Sequence, residues 1–239
     1  MKEGDKRKVR VGLLGFGTIG SSVYGLIEKE RAAILESTGV DLRVSRILDI
    51  DRSKWGVGAP AELFTAEFGE VVGDQDIDIV VELIGGVDRA FEFVSESLRR
   101  GKEVVTANKQ LIANKGAALF DLARELGRQI RFEAGVGGAI PVIRVMREGM
   151  IAADLHSVYG IVNGTTNYIL TAMYEGAGGY ADTLAKAQEL GYAEADPTAD
   201  VGGGDAAAKM AILASIAYRS RVTMATAVIT PSAAPPMPM

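Results

Sequence analysis

The chain has 239 residues, 48% of them apolar and 24% charged, with a formal net charge of −5, one histidine and no cysteine. That length suits one or two domains with a real core, and the lack of cysteine excludes a disulfide framework and thiolate chemistry. No Lys/Arg-rich run marks a nucleic-acid partner and no apolar run reaches the length of a membrane span. The opening MKEGDKRKVR is too charged for a secretory signal, so the cytoplasm is the expected location.

The first elements alternate in kind. KVRVGLLGFGTIG reads as a buried strand running into a glycine turn, SSVYGLIEKERAAILES as a helix and DLRVSRILDID as a second strand. DIDIVVELIGG is a continuous apolar run between turn signals, as a strand covered on both faces would be. DRAFEFVSESLRRGK is an amphipathic helix, EVVTAN a strand, KGAALFDLARELGRQ a helix and IRFEAGV a further strand. This rhythm predicts a Rossmann-type α/β fold, a doubly wound parallel sheet over residues 1–140. Beyond it, DLHSVYGIVNG looks like a strand and TTNYILTAMYEG starts a helix with threonine caps. YADTLAKAQELGY and DAAAKMAILASIAY are two more helices, the last apolar almost all round and hence buried. Residues 141–224 are therefore expected to form a partial α+β catalytic domain. Residues 225–239 hold four of the seven prolines and are expected to be a disordered tail. His156 has no second histidine or cysteine with which to share a metal, so acid–base work falls to Lys, Asp, Glu or Tyr.

Two stretches carry chemistry. Gly15, Gly17 and Gly20 form GxGxxG between a strand and a helix. The first glycine permits the tight turn, the second a close approach to pyrophosphate and the third close helix–strand packing, while the helix start offers free N–H groups. The second strand should end on a residue that reads the adenosine ribose. Asp49 and Asp51 favour the free hydroxyl of NAD, whereas Arg52 and Lys54 would accept the extra phosphate of NADP, so the cofactor reads as NAD or NADP. Lys109 falls at a strand's carboxyl end, either pointing into the ligand crevice or simply opening a helix in water. In GYAEADPTADVGGGDAAAK, Asp205 and Lys209 share a helix face. Asp205 could be a plain N-cap, and Glu194, Asp196 and Asp200 an ordinary acidic loop. Lys209 is harder to dismiss, because a lysine on a helix without a wet face needs a partner or a task.

VGLLGFGTIG, VVELIGG, VVTANK, FEAGVGGAIPVI, GIVNGTTNYIL, AQELGYAEADPTADV and DAAAKMAILASIA together resemble homoserine dehydrogenases, in family order from residue 9 to about residue 224. The resemblance implies reversible oxidation of L-homoserine to L-aspartate 4-semialdehyde with NAD or NADP, on the branch toward threonine and methionine. It implies that Gly15, Phe16, Gly17, Thr18, Ile19 and Gly20 form the pyrophosphate loop, with Asp49, Lys109 and Gly191 also at the cofactor. It implies Lys209 as the general acid–base, with Lys109 beside nicotinamide and substrate. Glu194 and Asp205 would bind substrate, with Thr165, Tyr192 and Asp200 as further pocket residues. Glu133, Val136, Gly138 and Ile140 would hold a monovalent cation such as sodium, largely through backbone carbonyls. The family also implies a homodimer.

The chain departs from the family pattern in three places. Gly135 stands where serine or threonine is usual, and a glycine run replaces a bulkier sequence before Asp205. Family members also continue well beyond RVTMA, which leads to the expectation of a C-terminally truncated chain. The alternative reading from the sequence is accordingly an NAD(P)-binding fragment without turnover.

Overall fold

The computed structural model describes residues 7–226. Most of the expected proline-rich tail lies outside them; of that stretch only residues 225 and 226, in the short turn Met224–Thr226, are described. The chain divides into two compact units, Met1–Ala139 and Ile140–Met239.

The first unit is built on β1 (Arg7–Leu14), α1 (Thr18–Thr38), β2 (Val40–Leu48), β3 (Phe64–Thr65), α2 (Phe68–Val72), β4 (Ile79–Glu82), α3 (Asp88–Arg99), β5 (Glu103–Thr106), α4 (Lys109–Glu125) and β6 (Ile130–Arg131). The six strands form one sheet in the order β3-β2-β1-β4-β5-β6, every pair parallel. Strand order reverses between β1 and β4, which is where open sheets of this kind bind ligands. Alternate residues of the central strand feed two cores. Val11 and Leu13 join Phe16, Val44 and Ile47, with Val23 and Ile27 of α1 against them. Leu14 joins Leu48, Val71 and Val80 on the other face, with Phe68 and Phe93 from α2 and α3. Helices thus cover both faces, the condition for continuous apolar strands. Gly12 makes room for this: a Cβ there would lie 2.6 Å from Val71 Cγ1.

β3 and α2 are absent from the sequence reading, because two and five residues are too few to show a period. IRFEAGV yields only a two-residue strand before a 3₁₀ turn at Glu133–Gly135. α4 begins at Lys109, earlier than KGAALF suggests, because the Asn108 side chain caps it by accepting the Leu111 N–H at 3.0 Å.

The second unit is helical over its described residues. It comprises α5 (Val142–Arg144), which runs into a wider π-type turn at Val145–Gly149, then α6 (Gly164–Tyr174), α7 (Tyr180–Glu189), α8 (Thr198–Val201) and α9 (Gly204–Ala217). The strand expected in DLHSVYGIVNG is not found. Residues 154–163 carry no regular structure, and no strand pairs with them among the described residues. Alternation makes a segment competent for a sheet, but a strand exists only against a neighbour that takes its N–H and C=O groups. α9 has no exposed residue, as a helix apolar almost all round requires.

Candidate active site

Each unit carries one cluster of the candidate residues. In the first unit, the glycine turn sits at the carboxyl end of β1. Gly15 has φ +100°, a conformation open to glycine, and a Cβ at Gly20 would lie 2.2 Å from the Gly15 carbonyl oxygen. The fold itself therefore demands both. Gly17 is different: its φ is −78°, and a Cβ there would meet nothing within 4 Å. The need for glycine at this position points outward, toward whatever approaches the backbone. Gly17 is also the N-cap of α1 and makes no side-chain cap bond, so the exposed start of the helix, Thr18 and Ile19, offers backbone N–H groups to an anion.

Asp49 holds this turn. It is buried, and its Oδ2 accepts the Phe16 N–H at 2.8 Å and Lys54 Nζ at 3.3 Å, while Oδ1 accepts the Asp51 N–H at 2.9 Å. Its lone pairs are thus largely committed within the protein. Asp51 is exposed, and the Ser53 hydroxyl, then the Ser53 N–H, holds its carboxyl below the usual range. Arg52 lies over the Trp55 ring, 5.4 Å from its centroid. Lys109 is the half-buried first residue of α4, near the ends of β4 and β5 at the same edge of the sheet.

In the second unit, the first turn of α9 meets the loop before α6. Lys209 Nζ donates to Asp205 Oδ2 at 2.7 Å and to the Val162 carbonyl at 2.6 Å. Asp205 is not an N-cap. Gly203, in the left-handed conformation, occupies that position, and Asp205 is the buried second residue of the helix. The Asn163 amide donates to Asp205 Oδ2 at 2.8 Å and to Asp200 Oδ1 at 2.7 Å. Thr165 Oγ1 donates at 2.9 Å to Asp200 Oδ2 and lies 2.7 Å from the Tyr192 carbonyl oxygen. An ammonium has three donors, and two hydrogen bonds occupy two of them. The half-buried Lys209 retains a third, with its ammonium fixed by two partners.

The other candidates lie around this cluster. The Tyr192 ring is 4.8 Å from that of Tyr168 and is more exposed than buried. Gly191 follows α7 with φ +76°. Glu194 is exposed, and its carbonyl accepts Gln188 Nε2 at 3.1 Å, which ties its loop to α7. Asp196 Oδ1 accepts the hydroxyl and the N–H of Thr198, the first residue of α8, and these bonds, the hydroxyl's first, lower the pKa of its carboxyl. The acidic stretch is thus not a plain loop, because Asp200 sits in the single turn of α8 with both oxygens engaged.

Asn163 went unnoticed in the sequence, where the threonines of NGTTNYIL look like the caps. Asn163 is the actual cap: its Oδ1 accepts the Thr166 N–H and hydroxyl, both at 2.8 Å. Asparagine directly before a helix is itself a cap signal. Its bridge to two carboxylates 37 and 42 residues away has no local signature.

Glu133, Val136 and Gly138 belong to the first unit, while Ile140 opens the second. The Glu133 carbonyl accepts the Val136 N–H at 3.4 Å, and the Ile140 carbonyl accepts the Val142 N–H at 2.7 Å. Among the described residues, no three His, Cys, Asp or Glu side chains converge on a metal position. Oxygen donors of these residues suit only a hard cation.

Comparison with known proteins places these clusters in context. The family model for the homoserine dehydrogenase NAD binding domain matches residues 15–133, and the homoserine dehydrogenase model matches residues 141–231. The homoserine dehydrogenase of Corynebacterium glutamicum is 48% identical over 221 residues, covering 92% of this chain and 50% of that protein. A crystal structure of a homoserine dehydrogenase from Thiobacillus denitrificans matches with a TM-score of 0.84 and 42% identity, covering 89% of this chain and 49% of that one. A hyperthermophilic archaeal homoserine dehydrogenase in complex with NADPH matches with a TM-score of 0.78 and 30% identity, covering 90% of this chain and 71% of that one. The chain spans about half the length of the curated relatives it matches.

Proposed function

The chain belongs to the homoserine dehydrogenase family, and from that premise we propose that it interconverts L-homoserine and L-aspartate 4-semialdehyde with NAD or NADP. Residues 1–140 bind the dinucleotide in this reading, and residues 141–224 carry the substrate and proton-transfer groups. The observation that carries it is the fixed Lys209 ammonium, held by Asp205 and the Val162 carbonyl with one donor to spare.

The steps follow from the groups present. The backbone of Gly15–Gly20 takes the pyrophosphate, because Gly17 opens to space and the start of α1 faces it with N–H groups. Asp49 shapes that loop through Phe16, and Lys54 and Arg52, next to it in the fold or the chain, would face the adenosine ribose. A dinucleotide held by this unit would supply the hydride acceptor or donor. In oxidation Lys209 Nζ, as the free amine, takes the proton of the substrate hydroxyl; in reduction its ammonium returns that proton to the carbonyl oxygen. Glu194 and Asp205 provide carboxylates for the substrate ammonium, with Tyr192 alongside, while Thr165 and Asp200 hold the frame. Lys109 would add a cation at the carboxyl edge of the sheet, within the dinucleotide-binding unit. Glu133, Val136, Gly138 and Ile140 would supply oxygen donors to a sodium-like ion.

The reading extends to a homodimer in the cytoplasm. Exposed apolar residues support the association: Leu170, Met173 and Tyr174 share one face of α6, and Tyr159 and Ile161 stand out from the preceding segment. No helix of the described residues is long and apolar enough to cross a membrane.

The test is purified protein with L-homoserine and NAD or NADP, followed at the nicotinamide absorbance. Turnover is expected, and Lys209→Met should abolish it while leaving dinucleotide affinity unchanged. Bound dinucleotide without turnover in the unaltered chain would select the alternative, a dinucleotide-binding protein that is not an enzyme.

A further inference from the structure

Glu82 ends β4, and none of its surface reaches solvent. A carboxylate taken out of water is costly unless donors surround it. Here they do. Thr106 Oγ1 donates to Oε2 at 2.6 Å, the Ile84 N–H donates to Oε1 at 3.0 Å, and Asn108 Nδ2 reaches Oε1 at 3.5 Å. No cation pairs with it among the described residues. The donors come from the last residue of β5 and from the two loops that follow β4 and β5.

The bonding continues outward from those loops. The Asn108 N–H donates to Thr106 Oγ1 at 2.9 Å, and Asn108 Nδ2 donates to the Gly86 carbonyl at 2.6 Å. Asn108 Oδ1 caps α4, whose first residue is Lys109. The loop after β4 contains two successive glycines, Gly85 and Gly86, at φ +72° and +71°, with open space where a Cβ would stand. Such a loop has little stiffness of its own. Glu82 is the hub that joins it to the start of α4.

Stability alone would not need a buried carboxylate here, since well-packed apolar side chains serve a core as well or better. The position suggests another purpose. A doubly wound sheet has two mononucleotide-binding halves that meet where strand order reverses. β1, β2 and β3 form the half that bears the glycine turn and Asp49; β4, β5 and β6 form the other. Both loops tied to Glu82 lie at the carboxyl edge of that second half. We propose that Glu82 is a positioning residue, holding the loops after β4 and β5 in the arrangement that receives the nicotinamide half of the dinucleotide. This inference rests on the dinucleotide reading above.

The experiment compares the intact chain with Glu82→Leu, Glu82→Gln and Thr106→Val. Two dissociation constants are measured by calorimetry: for the tighter-binding of NADH and NADPH, and for its adenosine half alone, ADP or 2′,5′-ADP. Glu82→Leu and Thr106→Val are expected to weaken the whole dinucleotide roughly tenfold and the adenosine half by less than about twofold. Glu82→Gln keeps an acceptor for Ile84 and should recover most of the affinity. If Glu82→Leu does not fold, Thr106→Val, which removes a single oxygen, carries the comparison. Equal weakening of both ligands would reduce Glu82 to a structural role and overturn the inference, as would no change in either. An unaltered chain that binds neither ligand would instead reject the dinucleotide reading, and this inference with it.

Discussion

At the scale of single residues, the second-unit cluster hangs on Asn163. One amide group bridges Asp200 and Asp205 while its oxygen caps α6. Asn163→Ala removes two bonds to charged acceptors and one cap, and should lower unfolding free energy by about 3 kcal/mol in urea melts. Asn163→Asp should be worse at neutral pH, because it sets a third carboxylate against two. Lys209 was legible as a residue in need of a partner, because its neighbours Ala206, Met210, Ile212 and Leu213 leave no polar stripe on the helix. The partner was legible too, one turn back at Asp205. The side to which the pair faces was not, because Asn163 and the Val162 carbonyl come from residues more than 40 positions away. Asp49 was legible as the residue at the end of β2, but the commitment of its oxygens to Phe16 and Lys54 depends on how the strands align.

At the scale of elements, the glycine turn separates what folding demands from what binding demands. Gly20→Ala would drive a methyl group to 2.2 Å from the Gly15 carbonyl oxygen, so the turn must distort. Gly17→Ala meets nothing, and its backbone is one that alanine adopts. Thermal melts should therefore show Gly20→Ala clearly destabilised and Gly17→Ala nearly unchanged, with both losing dinucleotide affinity. A Gly17→Ala variant with undiminished affinity would remove the pyrophosphate from this turn. Long elements with strong periodicity were readable in advance: α1, α3 and the four longer strands stand where the pattern puts them. β3 and α2 escaped because an element of two or five residues is set by the neighbour it docks on, Ile47 and Leu48 for β3. The segment 154–163 failed in the opposite sense, with a strand-like pattern and no partner among the described residues.

At the scale of the whole molecule, the two units are each continuous in sequence, and among the described residues no strand of the sheet comes from beyond Arg131. Both cores of the first unit are filled by its own residues. A chain of residues 1–139 is therefore expected to unfold cooperatively in calorimetry and to bind NADH or NADPH on its own. Loss of cooperative unfolding would mean that residues beyond 139 complete its core.

The strand order has a further consequence, for the chain as it is being made. β1 leaves the ribosome before the other five strands of the sheet, and β2 follows closely enough to pair with it. Its other neighbour, β4, begins only at Ile79, 65 residues after Leu14 (79 − 14). At ordinary synthesis rates that interval lasts roughly 3–13 s. Throughout it, one edge of β1, the strand that carries Val11, Leu13 and Leu14 into both cores, stands without a mate, a template for any other extended chain nearby. A translational pause placed before β4 prolongs that exposure, whereas a pause after β6 costs the nascent protein nothing.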